Sequence, residues 1–249
     1  MKILLLILLF SSHAWSFDHE HKIFADVLTE NVLRKGAQTL VNYKAIKKDP
    51  HRLNEFILSL SKVTKDEFRQ WTMEQKLATL INGYNAWTIQ LISENYFVSS
   101  IKKIGHFYST PWKIEFINWL GEKVSLDYIE HNVIRKDFKV PRVHFALVCA
   151  AMGCPTLQEE PYKASKLEVQ LQKASNEFIN DLSKNRFEIK DDNVQLHVSS
   201  IFKWYGADFG SESDVVNYIV KEMKIQDRVR GKRIELDYLD YDWNLNEIK

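Results

Sequence analysis

Met73-Glu74-Gln75-Lys76-Leu77-Ala78-Thr79-Leu80-Ile81-Asn82-Gly83-Tyr84-Asn85-Ala86-Trp87-Thr88-Ile89-Gln90-Leu91-Ile92-Ser93-Glu94-Asn95 is the strongest periodic run in the chain. Leu77, Leu80, Ile81, Tyr84, Thr88 and Leu91 recur at helical spacing and form one stripe, which predicts a long helix packed on a core. Asn82 and Asn85 stand one turn apart in that helix, with Gly83 between them. Buried amides need partners, so the pair either knits neighbouring loops together or points into a site.

Working towards the N-terminus, residues 50–61 have helical spacing, 40–46 read as extended, and a helix is expected from Asp18 to Gly36. Towards the C-terminus, residues 113–118 and 122–125 flank Leu120-Gly121 as a hairpin, and Ser125 suits the N-cap of a helix over 126–136. Val143 to Cys149, after Pro141, reads as a short buried strand. An amphipathic helix is expected over 165–184 and a hairpin over 186–189 and 194–198. Helices near 199–205 and 212–223 and a strand near 232–238 follow. Pro and Gly are scarce and no low-complexity linker or repeat divides the chain. The class is α+β, a single helix-rich domain around a small, mostly antiparallel sheet.

The first residues read differently. Lys2, the apolar run Ile3 to Phe10, and Ala14 and Ser16 at small-residue spacing make residues 1–16 a secretory signal peptide cut after Ser16. The run is too short to span a bilayer, so no stable membrane anchor is expected. The protein is expected to be secreted, or periplasmic in a Gram-negative host. Residues 17–69 then form an N-terminal helical lead-in to the unit at 70–246. Cations and acids nearly balance, 34 Lys+Arg against 33 Asp+Glu, and cleavage removes Lys2. That balance excludes the electrostatic footprint of a nucleic-acid binder. A 45% hydrophobic content excludes a disordered chain, and two cysteines in 249 residues exclude a disulfide-framework scaffold.

Both cysteines fall in Arg142-Val143-His144-Phe145-Ala146-Leu147-Val148-Cys149-Ala150-Ala151-Met152-Gly153-Cys154-Pro155. A strand end opening into a small-residue turn suits a nucleophile, because the backbone approaches substrate closely and turn amides are available to an oxyanion. Cys149 needs a base or cation nearby to act as a thiolate. His144 lies five residues earlier, so on a straight strand it faces away from Cys149. His131 lies in Ser125-Leu126-Asp127-Tyr128-Ile129-Glu130-His131-Asn132-Val133-Ile134-Arg135, where Asp127, His131 and Arg135 share a helix face. Asp127 one turn earlier, or the adjacent Glu130 on an irregular helix, orients that ring. In an oxidising compartment Cys149 and Cys154 instead form a disulfide. Cys-x4-Cys is no zinc spacing, so neither a metal nor another cofactor is expected.

Asn82-Gly83-Tyr84-Asn85-Ala86, Ile129 to Arg135, Arg142 to Leu157, Phe202-Lys203-Trp204-Tyr205-Gly206-Ala207-Asp208-Phe209-Gly210 and Tyr241-Asp242-Trp243-Asn244-Leu245-Asn246 together resemble the family catalogued as domain of unknown function 547, over about residues 70–246. In that family's pattern the position of Cys149 is usually cysteine and the Glu130-His131 pair is regular, whereas the positions of Cys154 and His144 vary. The resemblance implies Cys149 with His131.

The leading expectation is a thiol-dependent hydrolase or acyltransferase with a papain-like division of labour in permuted chain order. Cys149 attacks an acyl carbonyl, His131 moves the proton, Asp127 or Glu130 orients His131, and Asn82 or Asn85 serves the oxyanion or the histidine. Arg135 and Arg142 either bind a substrate carboxylate or pair with Glu130 or Asp127, and Trp204 and Tyr205 supply an aromatic wall. Substrates would be small molecules, peptides or cell-envelope material. Two rivals stand beside it: a redox protein cycling the Cys149–Cys154 disulfide, and a non-catalytic module presenting the same cleft to a peptide or glycan.

Overall fold

The computed structural model describes residues 17–105 and 109–249; the expected leader at 1–16 lies outside the described residues. Helix α1 (Lys22–Asn31) leads into a hairpin of β1 (Val32–Lys35) and β2 (Gln38–Val41), followed by α2 (Tyr43–Lys48), α3 (His51–Ser61) and α4 (Lys65–Gln70). The long helix expected at 18–36 is therefore broken, because Val32 and Leu33 pair with Val41 and Leu40 instead of continuing α1. Only the first part of 40–46 is extended. Asn42 caps α2 by accepting the Ala45 N–H, and the chain turns helical there.

Helix α5 (Met73–Glu94) is the segment quoted first. Thr72 and Gln75 close a capping box at its start, each side chain taking the other's backbone N–H. From Leu77 to Ser93 almost every side chain except Gln90 is buried, so α5 is enclosed on all sides, where a one-face stripe was expected. Gly83 is required by packing: a Cβ there would stand 2.9 Å from the Trp87 ring, which is itself buried against Trp119.

The expected hairpin around Leu120-Gly121 is present, shortened to β3 (Ile117–Trp119) and β4 (Glu122–Val124). Ser125 caps the next helix by accepting the Tyr128 N–H, but Tyr128–Ile134 is a π-helix that becomes α6 (Arg135–Phe138) only at its end. Val143–Cys149 is not a strand. Pro141 starts a 3-10 turn through Phe145, and the run to Cys149 is irregular, though mostly buried. An apolar run of this length has the same signature in a strand and in an enclosed turn.

Helix α7 (Leu167–Ile179) ends before Leu182, which is exposed. Strands β5 (Arg186–Lys190) and β6 (Asn193–Ser199) form the second expected hairpin, and α8 (Ile201–Phe209), α9 (Glu212–Glu222) and α10 (Gln226–Val229) follow. Strand β7 (Arg233–Leu239) joins β6 in parallel, so the three-stranded sheet is mixed. The architecture is α+β, with two-stranded and three-stranded sheets among helices.

Residues 241–248 then run back across the molecule. Val41 and Asn246, Ile248 and Val41, Leu245 and Ser99, and Asn246 and Ala150 are joined backbone to backbone, and Tyr43 donates its hydroxyl to the Asn246 side chain. This segment stitches β2, the loop after α5 and the cysteine loop together. No helix among the described residues is long and apolar enough to cross a membrane.

Candidate functional site

The π-helix decides which side chains meet. Asp127 ends the α-helical turn that leads into the π-helix, Glu130 and His131 lie within the π-helix, and a π turn at a functional face is a recurrent arrangement. These three line a cleft of about 290 Å³ with Tyr84 from α5, His144, Leu147, Cys149 and Pro155 from the cysteine region, and Ile201, Trp204 and Tyr205 from α8. Thr110 and Trp112 and the returning Tyr241 and Trp243 complete the wall. Six of the expected residues, Cys149, His131, Glu130, Asp127, Trp204 and Tyr205, are thereby brought together.

Glu130 is 7% exposed and accepts the Tyr84 hydroxyl at 3.1 Å. Burial, reinforced by this carboxylate, drives the phenols of Tyr84, Tyr205 and Tyr241 upward, so all three remain neutral donors. Arg135 points an N–H at His131 Nδ1 from 2.8 Å. Guanidinium can only donate, so Nδ1 accepts and the neutral ring carries its proton on Nε2, 3.7 Å from Asp127 Oδ1. In this tautomer the Nδ1 lone pair is taken up by Arg135 and the Nε2–H faces the Asp127 side.

Arg135 grips Asp208 through two 2.7 Å bonds, so it is not a free carboxylate binder. The same Asp208 bonds His144 Nε2 at 2.7 Å. Arg135 and then His144 hold the Asp208 carboxyl down at about 2, so it stays ionised. Burial lowers His144 more than Asp208 raises it, which favours the neutral ring, and His144 stacks on Tyr205 at 4.0 Å. The opposite-face argument against His144 fails because its premise, a straight strand, is absent. A carboxylate-oriented histidine facing the cleft is therefore His144, which sequence reasoning set aside. Asp208 belongs to the quoted Phe202–Gly210 run, but nothing local links it to residue 144.

Asn82 and Asn85 do not line the cleft. Asn82 accepts the Tyr162 N–H and donates to the Tyr162 carbonyl, at 2.9 and 2.7 Å. Asn85 does the same for Val148 N–H and the Ala146 carbonyl, at 2.9 and 3.0 Å. Both amides fix backbone, and Asn85 fixes the run leading to Cys149. Arg142 lies elsewhere, forked on Glu168 at 2.7 and 2.8 Å.

Cys149 and Cys154 are joined as a disulfide, with Cα atoms 6.2 Å apart. Their environments differ. Cys149 is partly exposed to the cleft, whereas Cys154 is fully buried. The Cys149 and Ala151 N–H groups point at Cys154 Sγ from 3.0 and 3.4 Å, and the Tyr241 hydroxyl reaches both sulfurs at 3.2 Å. The turn amides expected to hold an oxyanion are therefore aimed at a sulfur. Ala150 adopts a left-handed φ of 62° to make that turn, a strained conformation for alanine. A Cβ on Gly153 would come within 3.0 Å of Tyr241 and of the Asp242 backbone, so glycine lets the returning segment lie on the loop. Among the described residues no group of three or more His, Cys, Asp or Glu is placed to hold a metal ion.

No curated protein and no solved structure matches the chain. Residues 68–179 match the family model described as "Protein of unknown function, DUF547". The matched segment contains Tyr84, Asp127, Glu130, His131, His144, Cys149 and Cys154 and stops before Tyr205, Asp208 and Tyr241. Residues 68–179 are thus a DUF547 segment.

Proposed function

We propose that the cleft carries out thiol–disulfide exchange through Cys149 and Cys154. The observation behind this reading is their asymmetry: one sulfur faces the cleft, and its partner is buried beneath two N–H groups and a phenol. An incoming thiolate bonds to Cys149 Sγ, the Cys149–Cys154 bond breaks, and its electron pair leaves with Cys154. A leaving thiolate stabilised by donors departs faster. A second substrate thiolate attacks the substrate sulfur of the mixed disulfide and expels Cys149, so two thiols become one disulfide and the protein becomes a dithiol. A disulfide compound returns the pair to its oxidised form by the reverse steps. An exported protein fits this chemistry, because disulfides persist outside the cytosol.

The test is equilibration in glutathione redox buffers followed by acid trapping. The expected midpoint lies between about −120 and −270 mV, the range of dithiol oxidoreductases, and a value below about −300 mV identifies a structural disulfide and ends this reading.

The His144–Asp208 pair favours a second reading, acyl transfer by reduced Cys149 with His144 as base and Asp208 orienting it. Here the reduced protein is alkylated across pH 5–9. Loss of the thiolate population in His144→Gln supports acyl transfer, and an unchanged profile removes it.

A further inference from the structure

The cleft has aromatic walls and two carboxylates. Trp112, Trp204, Tyr205, Tyr241 and Trp243 line it, Asp127 and Glu130 face it, and among the described residues neither Lys nor Arg lines it. The Arg135 guanidinium, which lies over the Tyr205 ring, is committed to Asp208 through two nitrogens and to His131 through the third. Glu130, buried beside Tyr84, has no ion-pair partner among the described residues. A carboxylate in such a place is bound only to neutral donors, which makes an arriving cation favourable where an arriving anion is repelled.

The rings themselves bear on the choice of ligand. Two of them already hold cations from within the chain: Lys102 Nζ lies 4.7 Å from the Trp243 centroid, and Arg135 lies 5.2 Å from that of Tyr205. Electron-rich ring faces attract ammonium groups, most strongly when water is excluded. Trp204, 45% exposed overall, leaves ring surface open at the cleft.

From these features we infer that the cleft binds ligands carrying an ammonium group, held between the Glu130 and Asp127 carboxylates and the Trp/Tyr walls. Resting on the exchange reading, this makes its substrates thiols with a neighbouring amine, such as cysteine-containing peptides bearing a free amino group or a lysine. The primary selectivity is charge, with the apolar part of the ligand lying along the tryptophans.

Binding and exchange are measured separately so that the two readings fail separately. Oxidised protein is titrated with pentylammonium and with 1-pentanol, following tryptophan fluorescence and calorimetry. The amine is expected to bind about tenfold more tightly at low salt. That preference should vanish in Glu130→Gln and weaken in Asp127→Asn, both close in shape to the native residue. Equal affinity for amine and alcohol overturns the ammonium assignment. If Glu130→Gln fails to fold, Asp127→Asn, on a partly exposed side chain, decides: an undiminished preference overturns it. Exchange rates are then compared for cysteamine, 2-mercaptoethanol and 3-mercaptopropionate, each normalised to its reaction with a free aromatic disulfide. Cysteamine is expected to be fastest and mercaptopropionate slowest. Selective amine binding without a cysteamine advantage removes the exchange reading and leaves the ligand class standing. Exchange with no charge preference overturns the ligand class and leaves exchange standing.

Discussion

His144 Nε2 lies 2.7 Å from Asp208 Oδ2, and Arg135 holds both oxygens of that carboxylate, sharing Oδ2 with the histidine. One acid from α8 thereby fixes both the 3-10 turn before Cys149 and the end of the π-helix. Asp208→Ala leaves a buried histidine and a half-buried guanidinium without their partner. The expected loss is about 2–4 kcal/mol in urea unfolding. Loss below 0.5 kcal/mol in that measurement means the network does not hold the cleft together.

The two cysteines should differ sharply once separated. In Cys154→Ser, Cys149 is free at the cleft wall and is expected to be alkylated by iodoacetamide under native conditions. In Cys149→Ser, Cys154 is buried and should react only after denaturation. Closing so small a loop also restricts the unfolded chain, so reduction of the native protein is expected to lower its stability by about 2 kcal/mol. Equal alkylation of the two variants would falsify the asymmetry on which exchange rests.

Tyr241→Phe removes the hydroxyl that reaches both sulfurs and leaves the ring in place. A donor to Cys154 favours the reduced thiolate, so its loss should make the potential more negative. One neutral hydrogen bond contributes about 1 kcal/mol, which corresponds to about 20 mV for a two-electron couple. The glutathione titration checks this, and a shift to less negative potential contradicts the donor role.

Acid should destabilise the protein through its buried histidines. Burial lowers His21 from 6.5 to about 4, and neither ring nitrogen has a hydrogen-bond partner among the described residues. A group whose folded pKa is depressed adds stability above its unfolded pKa and loses it as pH falls towards the folded value. For His21 that window runs from about pH 6.5 to 4 and amounts to about 3 kcal/mol. His144, shifted in the same direction, adds to it. His21 has a left-handed φ of 51°, so His21→Asn places a tolerant, non-titrating residue there. Thermal unfolding between pH 7 and 4 should be flatter in this variant, and an unchanged pH slope places the effect elsewhere.

Local pattern made much of this fold legible. Helix α5, both hairpins, α9 and β7 follow from periodicity and turn residues within their own segments. Asp127, Glu130 and His131 were legible as a group because their contact is a matter of one or two turns. The reading failed where packing overrode local signal. Val32–Lys35 pairs with a strand beyond Gly36, and the buried Val143–Cys149 run takes an irregular path that its composition does not distinguish from a strand. That error hid His144, whose exclusion depended on strand alternation. Asp208 and Tyr241 meet the site across separations of 64 to 92 residues, beyond the reach of any spacing rule.

The returning segment gives the site a timetable. Cys149 and Cys154 are five residues apart and can find each other as soon as their loop is made, whereas the Tyr43–Asn246 contact spans 203 residues. Contacts of such long range form slowly, because the intervening chain must first be gathered in. Oxidation of the sulfur pair can therefore precede the arrival of Tyr241 and Trp243. A chain arrested before residue 241 would hold a closed disulfide in an unfinished cleft, with its reactivity set before its selectivity.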